Sequence, residues 1–84
     1  MSISNEYSWS FRGTCPVDGK SDKYRATINT DMFVEINDLL KFCEKREGTP
    51  IFQEQHTEDL QKHFGGVVTI VGYHKGVKVR SIVQ

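Results

Sequence analysis

The sequence predicts an α+β domain, with four antiparallel strands in one sheet and two helices on a single face of it. Two observations carry this. The apolar period runs from two residues, to helical spacing, and back to two along the chain. Gly and Pro stand where the period changes. The chain has 84 residues, 37% hydrophobic and 11% aromatic, which predicts one packed core and a single domain over residues 1–84.

The first strand is read from Tyr7, Trp9 and Phe11, which alternate with serines and share one face. Gly13 is expected to end it. Thr14 to Lys23 follows as a polar loop of ten residues with Pro16 and the turn pair Asp18-Gly19. Hairpin loops usually run about 2–5 residues, so one this generous is a candidate for function. Tyr24, Ala26 and Ile28 then alternate with Arg25, Thr27 and Asn29 as a second strand.

Thr30 or Asp31 is the expected cap of the first helix. Phe33, Ile36, Leu40 and Cys43, with Leu39 beside them, recur at helical spacing and form its expected apolar face. Gly48 and Pro50 stop it. A shorter second helix is expected from Thr57, its cap, with Glu58 and Asp59 in the first turn and Leu60 and Phe64 facing inward. Gly65-Gly66 ends it. Val67–Tyr73 and Val77–Val83, joined through His74-Lys75-Gly76, form the closing hairpin. The second sheet face and the sheet edges lack cover, so neighbouring subunits are expected to supply it.

Eleven Lys and Arg balance eleven Asp and Glu. That excludes a general electrostatic binder of nucleic acid or anionic membrane. Lys75, Lys78 and Arg80 are read as a solvated charged face in preference to a phosphate contact. No apolar run reaches the length of a membrane span, and Met1 to Glu6 lack the core of a signal peptide. The expectation is a cytoplasmic protein with no membrane partner. Two cysteines fit free thiols in a reducing compartment. The three histidines and two cysteines show no zinc spacing, and His56 and His63 are read as solvated.

Cys43 falls on the apolar face, where a thiol acts as a small hydrophobe. Cys15 lies in the polar loop beside Pro16, and Asp22 follows seven residues later at the loop's far lip. Together they supply a nucleophile and a proton donor, although an incidental loop thiol is the commoner case. Glu54 is either a solvated carboxylate or a receptor for a guanine-like edge, whose adjacent N–H and NH₂ one carboxylate accepts together.

The stretch Phe11 to Asp22, with its Cys15-Pro16 pair, Gly19 turn and Asp22, resembles the nucleophile loop of the QueF family. The β-β-α-α-β-β order is similar to the tunnelling fold (T-fold) of those proteins. Phe52-Gln53-Glu54 resembles the family's His-Glu segment, and Val67 to Val83 its closing hairpin. The resemblance implies that Cys15 adds to the nitrile of 7-cyano-7-deazaguanine to give a thioimide. It implies that Asp22 shuttles the proton and that Glu54 and Gln53 hold the heterocycle. It also implies a homo-oligomeric barrel with sites between subunits.

Two departures matter. Reductases of the family carry regularly spaced lysines after a Glu, which bind NADPH. Here Glu35 stays, but Ile36-Asn37-Asp38-Leu39-Leu40-Lys41 loses that spacing. The family His is Gln53, which can hydrogen-bond but cannot transfer a proton. The compact length and missing lysines look like the QueF-like amidinotransferases of archaea. Those add ammonia to the thioimide to form the amidine of archaeosine in transfer RNA. That implies a substrate free or within RNA or DNA, ammonia as partner and no cofactor. The alternatives are an NADPH-dependent nitrile reductase of queuosine biosynthesis and a non-catalytic purine-binding T-fold module. A pterin-handling T-fold enzyme is more distant, because its zinc-binding histidines are absent.

Overall fold

A computed structural model describes residues 3–84, so the expectation for Met1 and Ser2 lies outside it. The elements run β1 (Asn5–Thr14), β2 (Ser21–Thr30), α1 (Ile36–Glu44), α2 (Gln53–Phe64), β3 (Val67–His74) and β4 (Val77–Val83). The sheet order is β1-β2-β3-β4, antiparallel throughout. Tyr24, Ala26, Ile28, Val68 and Ile70 from the sheet form one buried cluster with Leu39, Cys43 and Leu60 from the helices. Both helices therefore cover the same sheet face, as expected. Tyr7, Trp9 and Phe11 stand opposite Ile28, Ala26 and Tyr24 and close the β1 side of that cluster.

Gly13 does not end the first strand; it sits inside β1 and is buried. A Cβ there would come 2.8 Å from the Tyr24 ring and 3.0 Å from His56 Nε2. Gly72, on the other side of Tyr24, is equally confined: its Cβ would lie 2.7 Å from the ring and from Gln53 Oε1. These two glycines clear the space that the Tyr24 ring occupies. The strands consequently reach further than alternation suggested. The loop shrinks to Cys15–Lys20, and Ser21, Asp22 and Lys23 belong to β2.

The helix starts also differ from expectation. Glu35 caps α1 by accepting from the Asn37 and Asp38 amides, while Thr30 Oγ1 accepts from the Met32 amide within the turn before it. Leu39 and Cys43 are buried as expected, but Phe33, Ile36 and Leu40 are exposed and Val34 takes the inward place. Helix α2 begins four residues before Thr57, after Phe52, which makes no side-chain cap. Thr57 is fully buried within the helix, and its hydroxyl donates to the Gln53 carbonyl at 2.8 Å. Its β-branched hydroxyl mimics a cap in the sequence but here bonds back along the helix. Gly65 (φ 79°) ends α2, and Lys75 (φ 53°) with Gly76 (φ 83°) makes the tight turn of the closing hairpin.

His56 is not solvated. It is 3% exposed, with its ring centroid 5.3 Å from that of Phe11 and 5.7 Å from that of Tyr24. Burial pushes its pKa down to about 4. His63 is exposed, as expected, and packs against Phe42. Arg46 pairs with Asp59 and lies over the Phe42 ring, tying the end of α1 to α2. No described helix is long and apolar enough to cross a membrane.

Candidate active site

The end of the sheet near the β1–β2 loop converges with the start of α2 on one cavity of about 330 Å³. Three stretches of chain build it. Cys15 follows β1 directly, and its amide donates to the Lys20 carbonyl at 2.9 Å while its own carbonyl accepts from Gly19 at 2.9 Å. The loop therefore closes on itself and holds the thiol at its base. Asp22 and Tyr24 come from the inner face of β2. The Ile51 amide donates to the Thr14 carbonyl and the Thr14 hydroxyl to the Glu47 carbonyl, which brings the segment before α2 against the end of β1.

Cys15, Asp22, Gln53 and Glu54 all line this cavity, so four residues from three separated stretches are brought together. Pro16, Val17 and Phe52 add apolar wall. Cys15 is half-buried and Cys43 buried, neither in a disulfide; burial raises the Cys43 thiol pKa. Glu54 is exposed in the first turn of α2, where the helix dipole favours a carboxylate.

Asp18 is the turn residue expected: its carboxylate accepts from the Lys20 amide at 2.9 Å. That bond, with a contribution from the Cys15 thiol, outweighs desolvation and lowers its pKa. Asp22 Oδ2 receives the Tyr24 hydroxyl at 3.4 Å and lies 3.8 Å from His74 Nδ1. Burial, reinforced by the neighbouring carboxylate of Asp22, raises Tyr24 to about 12, so the phenol remains a donor at neutral pH. Gln53 is 2% exposed, and its amide nitrogen reaches the Ile70 and Val79 carbonyls at 3.0 Å each and Ser81 Oγ at 3.2 Å. Its Oε1 stands 2.9 Å from His74 Nε2. Both amide hydrogens are thus committed to protein partners.

Sequence reasoning missed His74 and Tyr24 as members of the site. The signal for His74 was present: alternation from Val68 through Ile70 and Gly72 puts it on the inner face. Its place beside a Lys-Gly turn disguised it as a loop residue. Tyr24 read only as core, because its hydroxyl's destination depends on the two flanking glycines. Among the described residues no group of three or more His, Cys, Asp or Glu converges to hold a metal ion.

Element order, sheet order and the helix pair on one face are those of the tunnelling fold. The chain superposes on the crystal structure of the archaeosine synthase QueF-Like in the apo form with a TM-score of 0.81, over 95% of this chain and 90% of that one, at 17% sequence identity. The likeness that the nucleophile-loop motif suggested is therefore present at the level of the fold. No protein-family model matches the sequence, and no curated protein does.

Proposed function

We propose that the protein is an amidinotransferase acting on the nitrile of 7-cyano-7-deazaguanine, free or within a nucleic acid. The observation that carries this reading is the meeting of Cys15, Asp22 and Glu54 at one cavity with apolar walls, on the fold of an archaeosine synthase. The planar heterocycle lies between Pro16, Val17 and Phe52, with its N–H and NH₂ edge on the Glu54 carboxylate. Two hydrogen bonds to a charged acceptor are worth roughly 1.5–3 kcal/mol each.

The Cys15 sulfur bonds to the nitrile carbon as one C–N π bond breaks. Asp22 delivers to the nitrogen the proton that the thiol gives up, leaving a neutral thioimide. Ammonia then bonds to the same carbon, the C–S bond breaks, and one ammonia proton returns to the sulfur. The products are an amidine and the free thiol. Glu35 supports this reading over a reductase: both its carboxylate oxygens are occupied as the α1 cap, and lysines at the reductase spacing are absent from the stretch after it.

Intact-protein mass spectrometry tests the reading. Incubation with 7-cyano-7-deazaguanine adds one ligand mass to the wild type, and ammonia then removes it as the amidine. An adduct discharged by NADPH and not by ammonia would instead establish the reductase.

A further inference from the structure

We propose that His74 is a positioning residue for proton transfer, acting through Asp22 and locked in a single tautomer by Gln53; its catalytic part rests on the reading above. The Gln53 amide nitrogen faces two backbone carbonyls at 3.0 Å, which can only accept. Turning the amide over would set oxygen against oxygen, so its orientation is dictated by its neighbours. Oε1 therefore faces His74 Nε2, and an amide oxygen can only accept. Nε2 must carry a hydrogen. In the neutral ring that leaves Nδ1 with a lone pair, at 3.8 Å from Asp22 Oδ2.

The facing atoms are an imidazole nitrogen and a carboxylate oxygen, both acceptors in the neutral ring and the ionised acid, so a proton that reaches either can pass to the other. The gap exceeds a hydrogen bond and closes with a side-chain movement of about 1 Å. The pair is partly open to water, with side chains 35% and 20% exposed, so it also exchanges protons with solvent. In thioimide formation the thiol proton enters this pair and leaves from Asp22 to the nitrile nitrogen. In the second step the pair takes a proton from the attacking ammonia and returns it to sulfur.

The charged and titratable groups sharing the cavity with His74 are Asp22 and Tyr24 from β2, Cys15 and Asp18 from the loop, Glu54 from α2, and Lys75 from its own turn. Any pH dependence is therefore assigned by comparing variants.

Two measurements on the whole chain test the proposal. The first uses no ligand: long-range ¹H–¹⁵N spectra of the His74 ring. Nε2–H in the neutral ring, with an Nδ1 resonance that moves in Asp22→Asn, is expected; Nδ1–H, or an Nδ1 signal indifferent to Asp22→Asn, overturns the pairing. The second follows the rate of thioimide formation against pH in His74→Gln, which can still donate to Gln53 but cannot transfer a proton. A loss of about tenfold, with the half-saturating ligand concentration within about twofold and a flatter pH profile, is expected. A rate and profile equal to wild type overturn the relay. A wild type that forms no adduct overturns both the nitrile reading and the catalytic part of the relay, while the spectra still decide the pairing.

Discussion

At the scale of single residues, His56 makes the clearest claim about stability. Its Nε2 is buried and finds no hydrogen-bond partner among the described residues, so that edge of the ring meets only packing contacts. Its pKa falls from 6.5 to about 4 on folding, because burial penalises the charged ring and Arg46 opposes it further. The unfolded chain binds this proton more readily, so stability is full above about pH 6.5 and declines as pH falls towards 4. The decline attributable to this ring is roughly 3 kcal/mol. His56→Phe keeps the aromatic contacts and removes the titration. Urea melts at several pH values should show wild type losing stability relative to the variant between pH 6.5 and 4. A difference that stays constant with pH contradicts this account. Here the sequence was a poor guide: polar residues at helical spacing read as solvated, and nothing local announces that Gly13 has opened room for an imidazole.

Among the elements, Tyr24 and the glycines on either side of it decide how the site is assembled. Gly72→Ala puts a methyl 2.7 Å from both the Tyr24 ring and Gln53 Oε1. Neither can retreat, since the ring is packed in the core and the Gln53 amide is pinned through its nitrogen, which donates to two backbone carbonyls. Overpacking of this kind costs about 1–3 kcal/mol. The urea midpoint should fall with little change in slope; an unchanged midpoint would mean that the ring is not confined. The legibility of the elements follows the same line. Alternation and helical spacing identify all six segments, because each buries one face. The ends shift wherever tertiary contact replaces a local signal: β1 runs through Gly13, and α2 starts at Gln53, whose polar side chain is consumed by β3 and β4. Cys15, Asp22 and Glu54 were legible because each sits at an element's edge, with a turn or helix start to betray it. His74 needed the strand register, which one sequence does not state.

For the molecule as a whole, the extents of 47 × 24 × 17 Å describe a slab one sheet and one helix layer thick. The far sheet face is uncovered, and β1 and β4 are edge strands. Phe33 is 84%, Ile36 58% and Leu40 46% exposed, although their spacing marked them as core. Periodicity reports that a face is apolar without saying whose surface covers it. Open edges and apolar side chains on one small chain are a liability unless another copy pairs with them. The chain is expected to self-associate into a closed assembly, visible by sedimentation velocity at micromolar concentration and weakened by Phe33→Ser with Ile36→Glu. A monomer at every concentration contradicts it.

The most direct test of the central claim concerns one sulfur atom. After exposure to 7-cyano-7-deazaguanine, the wild-type chain should gain the mass of one ligand, located by peptide mapping on Cys15, and Cys15→Ala should gain none. An unmodified wild type, or a variant that is labelled as fully, would contradict the covalent mechanism.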